Sequence, residues 1–344
     1  MTDSVLDEAY ERLRHTGPER DGWLSNHAPM AVEAMVHHGH HRAVHRWIDA
    51  YADELEERPR GIETIARDEW RDPLGDPVRT GDWLNYFDRE LAGEPWRDVL
   101  IRWWPRLLPG IAAGATHGVI RVGHAIRALL DEETEPRVAE LGQGLAYWAA
   151  RWQPLAPPGA GPYSSTDARA ALDAVPRVPD QRFGIRARLA QLADLTRWPE
   201  TAGAVPGSNS DDVPTRLAAI VDAAVFRHGT HGYARPVMLV HAATAPNAVL
   251  RALPALPPTL WKSSLDAAWA ATAAVTAAYA PADGQPTPHA DTRQSLDEIM
   301  LRAANIPEAH AIKFVDSVSD TYARSGDPTL PAIAAQSIEQ IAAL

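Results

Sequence analysis

Apolar side chains recur three and four positions apart along most of this chain, while alternation of β-branched with polar residues is scarce. The first spacing places apolar residues on one face of an α-helix, and the abundant alanine is the strongest helix former. A chain of 344 residues with 45% apolar side chains can bury one large core or two ordinary ones. We therefore expect a mainly α fold, in which residues 1–344 form a single large helical domain.

Capping residues, Gly and Pro set the expected helix boundaries. Asn26 is predicted to be the N-cap of a helix that ends at about His38, with Pro29 in its first turn and Gly39 as its stop. The other predicted helices span residues 3–15, 41–57, 83–91, 96–107, 111–130, 215–226, 261–280, 292–304, 307–324 and 330–343.

Three segments depart from this pattern. Residues 153–165 and 198–214 are rich in Pro, Gly and Ser, which predicts loops. The short apolar run at 237–241 is either a buried helical turn or a lone strand, because periodicity does not separate these two options. Another helix is predicted to begin at Thr244, with Pro246 in its first turn.

Composition narrows the function classes. The chain has no cysteine, so a bound metal would need His, Asp, Glu or a rarer ligand. A formal net charge of −12, without any basic run, argues against nucleic acid and against anionic membranes. No apolar stretch reaches the length of a membrane helix, and the acidic N-terminal residues do not resemble a secretory signal. We expect a cytoplasmic protein whose partner is a small molecule.

Lysine is unusually rare. Lys262 and Lys313 are the only lysines among 33 basic residues. A general coding bias toward arginine accounts for such a composition. A lysine that is retained under this bias is a candidate for a position that needs an amine, which a guanidinium does not replace.

Some of the 14 histidines are weak candidates for a site. His37, His41 and His45 have the spacing of one helix face, but a glycine interrupts the helix and arginines share the surface. His228 and His231 lie in the glycine-rich segment HGTHG, where solvated loop histidines are expected.

Five other histidines are flanked by apolar or small residues: His27, His117, His124, His241 and His310. His117 and His124 are two helical turns apart and therefore face the same way, and Lys313 follows His310 by one turn. Each histidine alone is compatible with a hydrogen-bonded core position. The five together, with an apolar-flanked lysine, favour a buried metal site for iron, zinc or manganese.

Other catalytic signatures are missing from the sequence. It contains no GxGxxG, GxxxxGK[ST], GxSxG or HExxH motif, so dinucleotide, P-loop, hydrolase and zincin chemistry lack support. Nor do Glu-x-x-His pairs of the di-iron type lie beside the five histidines.

Five segments in order resemble the questin oxidase-like family: SNHAPMAVEAM (25–35), LGDPVRTGDW (74–83), ATHGVIRVGHAIRAL (115–129), VHAATAPNAVLRALP (240–254) and HAIKFVDS (310–317). Members of this family act on anthraquinones and related aromatic polyketides. The resemblance implies oxidative opening of a quinone-type ring in secondary metabolism. It also implies a mononuclear non-haem iron held by four histidines and a carboxylated lysine.

Carried over to this chain, the resemblance places His27, His241 and His310 on the metal, with Lys313 as the carboxylated ligand. The fourth histidine is His117 or His124, which lie about 10.5 Å apart along a helix. The one that does not bind the metal would either support a ligand through a hydrogen bond or face the substrate as a catalytic acid or base, and His124 is the candidate for the catalytic role. Arg121, between them, is the candidate for binding a phenolate.

The expected activity is therefore that of an Fe(II)-dependent oxygenase that uses O2 to oxidise or cleave an aromatic or quinonoid polyketide. Two alternatives stay open from the sequence. One is an NADPH-dependent Baeyer–Villiger monooxygenase, which the missing nucleotide motif disfavours. The other is a non-catalytic helical protein that binds an aromatic metabolite and uses its histidines only for packing and hydrogen bonding.

Overall fold

Helices dominate the structure, a computed structural model that describes residues 3–159, 167–207, 212–289 and 294–343. This described part is mainly helical, with 68% helix and 2% strand, which confirms the mainly α prediction. Packing divides the chain into two units, Met1–Pro154 with Arg251–Leu260, and Leu155–Leu250 with Trp261–Leu344. The expectation of a single domain stays a prediction.

The first unit contains seven helices and a short hairpin within its described residues: α1 (Asp3–Leu13), β1 (Glu19–Arg20), β2 (Leu24–Ser25), α2 (Ala28–His37), α3 (His41–Tyr51), α4 (Thr80–Gly93), α5 (Trp96–Leu107), α6 (His117–Asp131) and α7 (Glu135–Ala150). The two strands are antiparallel, with Glu19 opposite Ser25. Buried aromatic rings fill part of the core, and Trp103 packs edge-on against Trp70 and Trp83 at 5.4 Å between ring centroids.

The start of α2 differs by one residue from the prediction. His27 is the N-cap, and Asn26 lies one position earlier, where its Oδ1 accepts the backbone N–H of Ala28. The Asn26 amide also donates to the carbonyl of Gly17, so the preceding loop holds this side chain. The helix ends at His37, within one residue of the prediction, and Gly39 is the predicted stop, with a φ of +80° that favours glycine.

Helix α7 is not predicted by the sequence analysis, because Gly142 and Gly144 weaken its pattern. Glycine here allows close packing of helices: a Cβ at Gly144 would meet Val122 of α6 at 3.1 Å. In the same way, a Cβ at Gly118 of α6 would meet Trp148 of α7 at 2.8 Å. Close approach between α6 and α7 thus offsets the low helix propensity of these glycines.

Several predicted helices are shorter than expected, including those at 111–130 and 41–57. The helix expected from residue 111 begins only at His117. Gly114, Ala115 and Thr116 have left-handed φ angles of +51°, +57° and +69°, which a right-handed α-helix does not accommodate. Helix α3 ends at Tyr51 and continues as one 3-10 turn to Glu54 instead of extending to residue 57.

The second unit contains nine α-helices within its described residues: α8 (Ala168–Asp173), α9 (Ile185–Ala190), α10 (Trp198–Gly203), α11 (Val213–His231), α12 (Pro236–Ala252), α13 (Trp261–Tyr279), α14 (Leu296–Ala303), α15 (Ala309–Ser325) and α16 (Leu330–Ala342). Helix α10 corrects the loop predicted at 198–214: the Trp198 indole is buried and donates to the Ala156 carbonyl, which anchors this short helix. Parts of both predicted loops, 160–166 and 208–211, lie outside the described residues.

Helix α12 resolves the ambiguity at 237–241 in favour of the helix, and it continues through Pro246 instead of starting anew at Thr244. Proline has no N–H, so the carbonyl of Ala242 loses its normal helix donor. The Thr272 hydroxyl of α13 donates to that carbonyl at 3.1 Å. A side chain from a neighbouring helix therefore satisfies the carbonyl and keeps α12 continuous.

His228 corrects the expectation of solvated histidines in HGTHG. It lies in the last turn of α11 and is buried. Its ring is tilted against the Phe314 ring, with centroids 4.1 Å apart, and its Nε2 donates to the Pro236 carbonyl at 3.0 Å. Burial lowers its pKa to about 4. Among the helices in the described ranges, none combines the length and apolar content needed to cross a bilayer.

The buried His228 predicts an acid-sensitive fold. Its pKa in the folded chain, about 4, lies below its ordinary value near 6.5, so the unfolded chain takes up a proton first as the pH falls. The free energy of unfolding should therefore decrease between pH 6.5 and pH 4, by up to about 3 kcal/mol from this group. Urea unfolding across this range should show a shallower decrease for His228→Gln than for the wild type.

His231→Gln is the matched control for this measurement, since His231 lies in the same turn but is only half-buried. Replacing His231 should change the pH dependence of the unfolding free energy less than replacing His228, because folding perturbs the pKa of a partly solvated imidazole less. Equal pH slopes for the wild type and His228→Gln would contradict the prediction.

Candidate metal centre

Two of the predicted ligands meet in the first unit. The Nε2 atoms of His27 and His117 lie 2.8 Å apart, and the two rings stack with centroids 4.5 Å apart. His27 is the N-cap of α2 and His117 is the first residue of α6, so the starts of these two helices bring the rings together. Both side chains are buried. We call these two residues the histidine pair.

The backbone before α6 sets the state of the His117 ring. Nδ1 of His117 lies 2.5 Å from the Gly114 carbonyl, which only accepts hydrogen bonds, so Nδ1 bears a proton. In the neutral ring the lone pair is then on Nε2, the atom that faces His27. Left-handed φ angles at Ala115 and Thr116, unfavourable for residues with a Cβ, are part of the turn that makes this contact.

The separation within the histidine pair fits two kinds of contact. It suits an N–H···N hydrogen bond donated by His27. It also suits two lone pairs directed at one cation, because ligands about 2.1 Å from a metal at right angles are ~3.0 Å apart. The pair can therefore supply two adjacent nitrogen ligands.

His124 lies about two turns after His117 on α6 and contacts α2 further along that helix. Its Nδ1 donates to Glu33 of α2 at 2.6 Å, and Arg127 binds both oxygens of the same carboxylate. Burial alone would raise the pKa of Glu33, but its Arg127 and His124 partners lower the pKa well below the usual range. Because this contact and the histidine pair lie six to seven residues apart on both helices, α2 and α6 run in parallel here.

Arg121 is buried and already has an anionic partner. Its Nε and Nη2 atoms donate to the two carboxylate oxygens of Glu140 at 2.6 and 2.8 Å. Its Nη1 has no hydrogen-bond partner within the described part of the chain. The guanidinium thus has one edge neutralised by Glu140 and one buried edge still able to donate.

The other predicted ligands lie together in the second unit. The rings of His241, on α12, and His310, on α15, are 5.2 Å apart between centroids. Nδ1 of His241 donates to the Met238 carbonyl at 3.1 Å, and Nδ1 of His310 donates to Glu308 at 2.6 Å. As in His117, the proton on Nδ1 leaves the lone pair of the neutral ring on Nε2. Burial, with His310 and Lys313 nearby, lowers the pKa of His241 well below its usual value.

Lys313 completes this group, one turn after His310 on α15. The side chain is fully buried, and within the described ranges its Nζ has no hydrogen-bond partner. Burial lowers its pKa to about 7, and the nearby Glu308 opposes this shift. We call His241, His310 and Lys313 the lysine cluster. A buried amine without a hydrogen bond is costly unless another group binds it.

Sequence analysis did not identify the carboxylates that hold these rings. Glu33 lies in α2, six residues after His27, and Glu308 caps α15, two residues before His310. The position of Glu308 directly before a predicted helix was the available signal, because the positive end of the helix dipole favours acidic side chains near a helix N-terminus. Nothing in the sequence relates Glu33 to His124.

The weaker candidates at positions 37, 41 and 45 lie nearer the surface. His37 is exposed, and His41 and His45 are half-buried. His45 lies within 3.4 Å of Glu8 and 3.1 Å of Arg12, side chains of α1. These contacts are typical of a solvated helix face.

Comparison with known families assigns the chain to one family. A family model described as questin oxidase-like matches residues 24–318. The chain belongs to the questin oxidase-like family. The match includes the histidine pair and the lysine cluster, and the family indicates an oxidoreductase of the oxygenase type. No curated protein matches the chain significantly.

Because Lys313 is buried, we predict that a neutral side chain at this position makes the metal-free protein more stable. Lys313→Met keeps a long unbranched side chain and removes the buried amine, so the free energy of unfolding should rise by about 1–4 kcal/mol. Urea unfolding at pH 7 with a chelator present measures this difference.

Lys262→Met is the matched control, because the chain's other lysine is exposed and bonded to Asp266 on the same helix. That change should leave stability nearly unaltered, since an exposed ion pair contributes little. A less stable Lys313→Met variant would show that the metal-free fold depends on the Lys313 amine.

Proposed function

We propose that this protein is an oxygenase that oxidises or cleaves the ring of an aromatic or quinonoid polyketide at one non-haem iron. The histidine pair and the lysine cluster would supply the ligands, with Lys313 carboxylated. Membership of the questin oxidase-like family supports the reaction class. The observation that carries the proposal is the fully buried Lys313 amine, which lies near two imidazoles and has no hydrogen-bond partner within the described residues.

The donors fit a divalent iron. Imidazole nitrogens suit iron, and the Nδ1 contacts of His117, His241 and His310 direct the lone pair to Nε2 in each neutral ring. When bound, the iron would supply a site for activating O2. The protein would hold the substrate beside it and exclude bulk water.

Carboxylation would turn Lys313 into an anionic ligand. An ammonium has no lone pair to offer a cation, but the pKa of about 7 makes the neutral amine accessible at physiological pH. The neutral nitrogen adds to CO2, forms an N–C bond and releases one proton, which yields a carbamate with oxygen donors. The carbamate would put an anionic metal ligand at the buried position that the Lys313 ammonium would otherwise occupy.

Between the two alternative histidines, we propose that His117 is the ligand. Its Nε2 faces His27, whereas His124 binds Glu33 about one and a half to two turns along the helices. His124, oriented by an ionised carboxylate, has the arrangement of a general acid or base and keeps that proposed role. Arg121 would donate to a phenolate oxygen through Nη1 while Glu140 holds its other edge.

Metal content is the first test of the proposal. Protein produced with iron and purified without chelator should contain about one equivalent per chain by elemental analysis. His241→Ala and Lys313→Arg should each lose this metal, since the second keeps the charge but cannot form the carbamate. Exchange of His37, His41 and His45 for Gln together is the surface control and should retain it.

Stoichiometry also tests whether the two groups of ligands act on one ion. One equivalent that disappears on changing either His117 or His241 would support shared ligation. Two equivalents, each lost separately, would overturn it. A chain without any transition metal, and without a rise in thermal midpoint on adding Fe(II), would instead favour a non-catalytic binding protein.

Cofactor dependence separates the proposed oxygenase from the NADPH-dependent alternative. With a hydroquinone or anthraquinone substrate, iron-loaded protein should consume O2 and convert the substrate without NADPH or flavin. An oxygen electrode measures the O2 consumption, and product analysis measures the conversion of the substrate. Turnover that strictly requires NADPH would favour a Baeyer–Villiger monooxygenase.

A further inference from the structure

Glu308 differs from the other groups that hold candidate ligands. It is the N-cap of α15, and its Oε1 accepts both the backbone N–H of His310 at 3.0 Å and the ring Nδ1–H at 2.6 Å. One carboxylate oxygen therefore caps the helix and orients the imidazole. The pKa of Glu308 would be raised by burial, but the contacts with His310 hold it at about 2.

The comparable contacts of His117 and His241 are to neutral carbonyls. Those acceptors, Gly114 and Met238, lie three residues before each ring, so helical or turn geometry supplies them whatever the side chains are. Glu308 instead brings a negative charge. A carboxylate on Nδ1–H makes the opposite nitrogen more basic than a carbonyl does, which strengthens it as a metal ligand.

The charge of Glu308 also enters the charge balance of the proposed centre. In the proposed centre, a divalent iron and one carbamate leave a net charge of +1. The Glu308 carboxylate, which is partly exposed, offsets part of this remaining charge. A buried site with less net charge has a smaller desolvation cost.

We propose that Glu308 is a positioning residue for the metal centre: it orients His310, keeps the His310 proton on Nδ1 and raises the affinity of Nε2 for metal. This inference rests on the proposed function, because His310 is a ligand only there. A helix cap alone would need neither the ring contact nor the charge.

Two variants separate these roles. Glu308→Gln keeps the size of the side chain and an oxygen acceptor but removes the charge. Glu308→Ser keeps a good N-cap, which accepts backbone N–H groups, but is too short to hold the ring as well. Glu298→Gln is the matched control, because the Glu298 carboxylate caps α14 through Ser295.

The first measurement uses the metal-free full-length chain with 15N-labelled histidine. Nitrogen chemical shifts should show His310 with its proton on Nδ1 in the wild type and in Glu298→Gln. Glu308→Ser should give a mixture of both tautomers. An unchanged tautomer in that variant would contradict the positioning role, whether or not the protein binds metal.

The second measurement is Zn(II) affinity by competition with a chromophoric chelator, in bicarbonate buffer. Both Glu308 variants should bind Zn(II) about 10–100-fold more weakly than the wild type. Wild-type affinity in Glu308→Ser, with an unchanged thermal midpoint, would reduce Glu308 to a helix cap and overturn the inference. A wild-type chain that binds neither Zn(II) nor Fe(II) would overturn the proposed function, and the ligand role of His310 with it.

Discussion

Hydrogen bonds from the Nδ1 atoms of buried imidazoles determine what the candidate centre can do. His117 and His241 donate to carbonyls, and His310 donates to Glu308. Because these acceptors have no proton to give, each neutral ring keeps its lone pair on Nε2. The opposite tautomer would present an N–H at that position and would not bind a metal through it. The helix and turn geometry around each ring therefore decides its chemistry before any ligand is present.

The buried Lys313 amine differs from two buried ion pairs of the first unit. In the first unit, Arg127 binds Glu33 and Arg121 binds Glu140 through paired hydrogen bonds, so each buried ion has a counter-ion. Lys313 is buried as deeply but lacks a hydrogen bond to any described residue. Since an unpaired buried cation is destabilising, this contrast makes Lys313 the position where a further chemical group is most needed.

Helix prediction succeeded where local signals and burial agreed. The helix at 96–107 and the stop at Gly39 match the structure. It failed where a contact distant in sequence decided the outcome. Thr272 supplies a donor that allows Pro246 to lie inside α12, and close packing of α6 on α7 stabilises a helix that contains Gly142 and Gly144. The residues next to Pro246, Gly142 and Gly144 in the sequence do not indicate either contact.

By itself, the sequence determined the mainly helical fold, the candidate residues and the rarity of lysine, because residue type and spacing along one chain are enough for these. It could not distinguish His117 from His124, which project from the same face of one helix. In the tertiary structure the two histidines have different partners: His117 lies against His27 at the start of α2, and His124 binds Glu33 further along the same helix. Burial of His228 and Lys313 was likewise decided by packing, because exposure depends on which helices cover a side chain and not on its neighbours in sequence.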